Sequence, residues 1–272
     1  NAESKLQLSS ITVDSVSTSV DNSMGVEVEN DSTINSFTVS NITPVSIGTG
    51  KTLSGAIGVT GGSIKLINTG TLASTVSMSG GTLDVDNSLT VSGALTQSGD
   101  ITIDVLGNQT LNYTGPPISL GSNTLSIDGA GTLSNASGSA LVLDQTDSIL
   151  DFRGTGIVTG AVNLESGTLK SSGSPTISGA LTQSGDITID VLGNQTLNYT
   201  GPPISLGSNT LSIDGAGTLS NASGSALVLD QTDSILDFRG TGIVSGPVKL
   251  ESGTLKSSGS PTISGTLTQF NN

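Results

Sequence analysis

Short apolar runs recur along the whole chain, each closed off by Gly, Asn, Asp, Ser or Pro. Between Gly93 and Ser178 they read, in order, ALTQ, ITID, TLNY, PISL, TLSID, TLSN, ALVLD, SILDF, GIVTG, AVNL, TLKS and PTIS. Turn-forming residues at such short intervals predict many short strands and no helices. The abundance of β-branched residues and glycine points the same way. Side chains alternate along a strand, so in Thr110-Leu111-Asn112 the leucine faces a core and its neighbours face solvent.

Every third run falls in constant phase. A first column begins at Ala94, Pro117, Ala140, Ala161 and Ala180, a second at Thr102, Thr124, Ser148, Thr168 and Thr188, and a third at Thr110, Thr132, Gly156, Thr176 and Thr196. The steps are 19 to 24 residues, and four of them make 86. Upstream the phase continues at 19 residues, through Ala56 and Thr75, Ser63 and Thr82, and Thr33, Thr52, Thr71 and Thr90. The predicted fold class is all-β: a parallel β-solenoid, expected as a right-handed β-helix, with three short strands per coil of 19 to 24 residues. Inward residues should stack as Leu95/Ile118/Leu141/Val162, Ile103/Leu125/Ile149/Leu169 and Leu111/Leu133/Ile157/Ile177. At about 4.8 Å per coil, twelve or thirteen coils predict a rod of about 60 Å.

A longer repeat overlies this one. Gly93–Ser178 and Gly179–Ser264 are two copies of an 86-residue unit that differ only at Thr159/Ser245, Ala161/Pro247 and Asn163/Lys249. The expected organisation is less regular N-terminal coils over 1–35 and 19-residue coils over 36–92. The two four-coil units follow at 93–178 and 179–264, and the start of a further copy at 265–272.

The phrases GGTLDV, SGTLKS, AGTLSN and TGTLAS, spaced by about one coil, resemble the Gly-Thr-Leu phrases of repetitive bacterial surface β-helix proteins. Those proteins include autotransporter passenger domains and filamentous-haemagglutinin-like adhesins. The likeness covers the chain from about Thr33 onward. It implies a secreted or surface-anchored rod and carries no functional residue with it.

Composition narrows the chemistry. The chain has no Cys, no His and no Trp. This excludes Cys/His zinc sites, disulfides and histidine-based nucleophilic catalysis. Ser and Thr number 81 of 272 residues, which with low charge and abundant Gly could suggest disorder, but Ile, Leu and Val every few positions argue for a folded chain. Eight Lys and Arg against 22 Asp and Glu leave a net charge of −14, the wrong sign for nucleic acid or an anionic membrane surface. No apolar run is long enough for a membrane-spanning helix, and Asn1–Val13 carries no signal-peptide pattern, so the chain reads as a mature form or an excerpt.

Three clusters could carry chemistry. Asp144, Asp147 and Asp151, repeated as Asp230, Asp233 and Asp237 beside Arg153 and Arg239, have the residue types of a polysaccharide-acting acid/base site. The simpler expectation makes Asp144 and Asp147 turn residues and pairs Asp151 with Arg153. The acidic turn Asp84-Val85-Asp86-Asn87 is the best place for calcium, although it matches no calcium-loop pattern. In the third column Thr33, Thr52, Thr71, Thr90, Thr110, Thr132, Thr176, Thr196, Thr218 and Thr262 form a row that loosely resembles an ice-binding face, with Ser54, Ser92, Asn112, Ser134 and Ser178 two residues on and gaps at Gly156 and Gly242. Asn-x-Ser/Thr sequons stand at Asn30, Asn41, Asn108, Asn112, Asn135, Asn194, Asn198 and Asn221.

The expectation is a non-enzymatic structural repeat region of an extracellular or cell-surface fibre, stalk or filament, without cofactor. Its partners would be adjacent repeats or copies of itself, joined head to tail or side by side. The alternatives are an adhesin that binds surface glycans or a host ligand (with Ser4–Asp31 as its docking surface), a polysaccharide-acting β-helix enzyme and an ice-binding solenoid.

Overall fold

The computed structural model describes residues 4–17, 24–136 and 138–270. Among them every helix or strand element is a strand. The strands pair in parallel, each with its counterpart one coil away, and wind a β-solenoid of about 12 turns with roughly three strands per turn. The chain forms two compact units, one of residues 1–119 with 123–140, the other of residues 120–122 with 141–272.

In the first unit the three columns stack as Ile57–Val76–Leu95, Leu83–Ile103–Ile127 and Leu72–Val91–Tyr113. All nine side chains are buried. Thr52–Ile67 runs through all three columns in one 16-residue strand, turning two of its coil's corners without a break. Gly55, at φ 115°, makes one such corner. A Cβ there would stand 1.8 Å from the carbonyl oxygen of Ile34 on the preceding coil, so only glycine fits. The corner from the second to the third column is a turn, closed at Gly48–Lys51 by the Lys51 N–H donating to the Gly48 carbonyl at 2.9 Å. Leu106–Gln109 is closed by the Gln109 N–H donating to the Leu106 carbonyl at 3.0 Å, with Asn108 at φ 63° in the left-handed position that asparagine tolerates.

In the second unit the columns stack as Leu141–Val162–Leu181, Leu150–Leu169–Ile189–Ile213–Phe238 and Val158–Ile177–Tyr199, again buried throughout. Apolar burial along these rows is the main source of stability, at roughly 25 cal/mol per Å². Five of the six aromatic residues, Phe37, Tyr113, Phe152, Tyr199 and Phe238, are inside and at most 2% exposed, so the interior is wide enough for single rings.

The parallel three-column solenoid agrees with the sequence pattern, and Leu141/Val162 and Leu111/Leu133 pair as expected. The second column does not follow the expected register. Leu125 lies opposite Ile101 and Ile103 opposite Ile127, a shift of two residues. Leu169 lies opposite Leu150, with Ile149 only half-buried. In SILDF either alternation is open, and the one adopted sends Leu150 and Phe152 inward and keeps the Asp151 carboxylate outside. In the third column Val158 takes the inward place opposite Ile177, leaving Ile157 42% exposed.

Candidate functional surface

The acidic cluster of each 86-residue unit is built into its coils. Asp144 accepts a hydrogen bond from the Gly121 N–H at 2.9 Å, and Asp230 accepts from the Gly207 N–H at 3.0 Å and the Ser205 hydroxyl at 2.5 Å. These carboxylates cap turns on the preceding coil. Asp147 and Asp233 are exposed. Between them and the strand, Ser148 is fully buried: its hydroxyl accepts from the Gln145 N–H at 2.9 Å and donates to the Gly121 carbonyl at 2.5 Å.

Asp151 is 4% exposed and engaged on both oxygens, by Arg153 Nε at 3.0 Å and by the Ser172 hydroxyl at 2.6 Å. Asp237 is held likewise by Arg239 at 3.1 Å and Ser258 at 3.2 Å, with Lys256 at 3.4 Å in addition. Burial pushes the Asp237 carboxyl up, but the bonds from Arg239, Lys256 and Ser258 outweigh it and hold the group below its ordinary value. Asp144 and Asp151 thus have separate structural tasks, Asp147 stands exposed beside them, and the expected Asp151–Arg153 pair is present.

Outside the core a row of charges follows the second column. In the first unit Lys65, Asp84, Asp104 and Asp128 lie in register on four successive strands. In the second unit the corresponding row is Asp151, Lys170, Asp190 and Asp214. Partial burial, then the charges of Asp128, Asp84 and Asp86, push the Asp104 carboxyl up. Asp190 is raised by burial and Asp214, with Lys170 pulling it back and Asp151 adding to the rise. The turn considered for calcium belongs to this surface. Asp84 accepts from the Ser63 hydroxyl at 2.5 Å, Asp86 pairs with Lys65 at 2.6 Å, and Asn87 accepts from the Asn68 N–H at 3.3 Å. Among the described residues no three His, Cys, Asp or Glu are placed to hold a metal ion together.

The threonine row is broken. Thr52, Thr71 and Thr90 stack in register, and the next place is taken by Asn112. Thr110 lies opposite Thr132, and upstream Thr33 lies opposite Ser54. In the second unit Thr176 meets Asn198, and the run Thr196–Thr218–Ile243–Thr262 is interrupted by an isoleucine 40% exposed. Ile243, not Gly242, holds the place because the strand begins one residue later than the spacing predicts. Among the sequons, Asn135 and Asn221 are buried at 6% and 5% and donate to the carbonyls of Ser139 and Ser225, which removes them as glycan acceptors.

Two surface depressions stand out. One, in the first unit, runs along Ser10–Thr12 and Asp31–Thr33, and Asp31 is its single ionisable residue. The other, in the second unit, lies between Asn221, Pro247 and Thr266 and has no ionisable lining residue. Neither brings an acid and a base together. Among the described residues no helix is long and apolar enough to cross a membrane. Comparison with protein-family models, with curated proteins and with solved structures finds no match to this chain.

Proposed function

We propose that the chain is a structural repeat region of an extracellular or cell-surface fibre, stalk or filament. The observation that carries this reading is the fidelity with which the second 86-residue copy rebuilds the first. Tyr113 and Tyr199 occupy the same inward place, and the Asp151–Arg153 pair returns as Asp237–Arg239. The Thr124 N–H donates to Asp100 at 2.7 Å just as the Thr210 N–H donates to Asp186 at 2.7 Å. Duplication of this kind adds coils and repeats nearly every surface group, three positions aside. An active site needs a unique constellation in a concave place, and here Asp144 and Asp230 cap turns while Asp151 and Asp237 pair with arginine. The breaks at Asn112 and Ile243 weigh against an ice-binding face. The reading needs no enzyme activity, metal or cofactor, and the resemblance of the Gly-Thr-Leu phrases to bacterial surface β-helices supports the location.

The test is length. Chains carrying one, two and three copies of the 86-residue unit should lengthen by about 19 Å per copy in small-angle scattering or electron microscopy, four coils at about 4.8 Å each. Particles that grow equally in all dimensions would defeat the reading. Antibodies to the unit should label intact source cells without permeabilisation. Incubation with acidic and neutral polysaccharides should release no reducing ends or unsaturated products.

A further inference from the structure

In each 86-residue copy the first column loses its ladder between one pair of coils. In the Gly179–Ser264 copy, Leu181–Gln183 pairs with Val162–Leu164 on the preceding coil, and Ile204–Ser205 pairs with Leu227–Val228 on the following one. Among the described residues no ladder pairing joins Leu181–Gln183 to Ile204–Ser205, and the two strands belong to separate sheets. The same two coils are fully paired elsewhere. In the second column Ile187–Val191 pairs with residues 211–215, and in the third Thr196–Tyr199 pairs with Thr218–Asn221.

The residues at this seam explain the break. The Ile204 and Leu206 N–H groups donate to the Ala226 and Val228 carbonyls of the following coil at 2.8 and 3.0 Å. Alternation along the strand turns residues 203 and 205 towards the preceding coil, and Pro203 has no N–H to give. On the other side, the Leu181 N–H goes to the Tyr199 hydroxyl at 3.3 Å, and that hydroxyl donates to the Pro202 carbonyl. Side chains also link the coils beyond the strand. Gln183 Nε2 donates to the Thr210 carbonyl at 2.9 Å, and the Thr210 N–H donates to Asp186 at 2.7 Å. Gln183 is 9% exposed, and its Oε1 is buried with no hydrogen-bond partner. Such an acceptor is costly to keep closed off from water. The Gly93–Ser178 copy has the same seam: Leu95–Gln97 and Ile118–Ser119 lie in separate sheets, Pro117 holds the place of Pro203, and the Tyr113 hydroxyl links Leu95 and Pro116.

We propose that this seam is a joint. Successive coils part first between Leu181–Gln183 and Ile204–Ser205, with the Tyr199 hydroxyl as the latch, while the second- and third-column ladders stay closed and form the hinge. Local opening follows the least-bonded contacts, and here two columns hold by backbone ladders and the first by side chains. The joint recurs in each 86-residue copy, so a chain of copies yields at a regular interval and on the first-column side each time. The inference goes beyond the structural-repeat reading and stands without it; that reading gives the joint a use, as compliance built into a fibre.

Amide hydrogen exchange of the 272-residue chain, resolved by nuclear magnetic resonance, tests it. Leu181 should be less protected than Ile204 and Leu206 by about tenfold or more, since those two bond across a closed ladder. Tyr199→Phe should lower protection at Leu181 by about tenfold again and leave Ile204 and Leu206 as they were. A staple separates opening from a merely long bond. The chain has no Cys, and Thr182 and Ser205 are exposed on either side of the seam, so Thr182→Cys with Ser205→Cys places one thiol pair across it. Oxidised, this pair should bring Leu181 to the protection of Ile204; reduction should reverse the change. Asn163→Cys with Thr182→Cys, across a closed ladder, should leave Leu181 fast in both states. The proposal is overturned if Leu181 in the unaltered chain is as protected as Ile204 and Leu206, if Tyr199→Phe lowers all three alike, or if oxidation of the seam pair leaves Leu181 unchanged. Should a variant fail to fold or to oxidise, the three amides of the unaltered chain still decide. Failure here removes the joint alone, whereas failure of the length test removes the fibre reading and leaves the joint standing.

Discussion

Asp104 lies directly opposite Asp84 on the neighbouring parallel strand, and Asp128 lies opposite it on the other side. Three carboxylates thus share one outer row. In the second unit the same aspartate, Asp190, has Lys170 on one side and Asp214 on the other. The two copies agree in sequence here, and what differs is the coil that precedes them.

That difference sets a prediction. Burial and its acidic neighbours raise the Asp104 carboxyl above its ordinary value. The folded state therefore holds the proton more tightly than the unfolded chain, and stability is lost as pH rises from the unfolded value, about 3.9, through the folded one. Asp104→Asn should raise the melting temperature at neutral pH, by about 0.2–1 kcal/mol in stability, the range for a directly opposed pair. The gain should vanish on acidification. Asp190→Asn should gain less, because it also deprives Lys170 of a partner. Melting curves of the two variants and the unaltered chain across the acid range decide it.

The opposite sign is expected at Asp237. Burial alone would raise its carboxyl, yet Arg239, Lys256 and Ser258 hold it down. Its contribution is present above the unfolded value and lost as pH falls through the folded one. Asp237→Asn should destabilise at neutral pH by about 1–3 kcal/mol, the cost of breaking charge-assisted bonds around a buried group. Variant and parent should converge at low pH. Equal destabilisation at every pH would show that packing, not charge, holds this corner.

Tyr113 fixes a corner from inside. Its ring is buried, its hydroxyl donates to the Pro116 carbonyl at 2.5 Å and accepts from the Leu95 N–H at 3.3 Å. Tyr199 repeats this with Pro202 and Leu181. Tyr113→Phe keeps the ring and removes both bonds, leaving the buried Leu95 N–H without this acceptor, and should cost about 1–3 kcal/mol in chemical denaturation. Tyr113→Leu should cost more by adding a void. A phenylalanine variant as stable as the parent would show that the hydroxyl does nothing for the corner.

Much of this architecture was legible in the spacing. Turn residues at short intervals, three columns in phase and the 86-residue duplication specify coil length, strand number and parallel pairing, because each coil has to place its apolar residues over those of the last. Register was less legible. Ile101, Ile103 and Val105 all point inward, so the second column tolerates a slide of two residues without turning a side chain over, and turn length decides between Leu125 and Ile127 as the partner of Ile103. Ile157 and Val158 are adjacent and both apolar, so hydrophobicity alone does not choose which goes in. The charge row was illegible for the same reason: Asp84, Asp104 and Asp128 become neighbours only once register is known. Of the candidate sites, the Asp151–Arg153 pair could be read from two residues separated by one in sequence, whereas the bond from Gly121 to Asp144 spans a coil and could not.

The glycines at the entrance to the first column are among the most stringent positions in the repeat. A Cβ on Gly93 would stand 1.9 Å from the Ser74 carbonyl oxygen, and one on Gly179 would stand 1.7 Å from that of Gly160. In both cases the obstacle is the backbone of the coil before, which cannot yield without lifting one coil off the next. Gly179→Ala should therefore destabilise by about 2 kcal/mol or more, within the range of severe single substitutions. Gly58 is the control: it lies in a strand, and a Cβ there meets nothing within 4 Å. Gly58→Ala should be neutral or stabilise by about 0.4–1 kcal/mol, since alanine restricts the unfolded chain at no cost to the folded one. If the two substitutions prove equally harmful in thermal denaturation, close stacking of successive coils at this corner is not what the glycine serves.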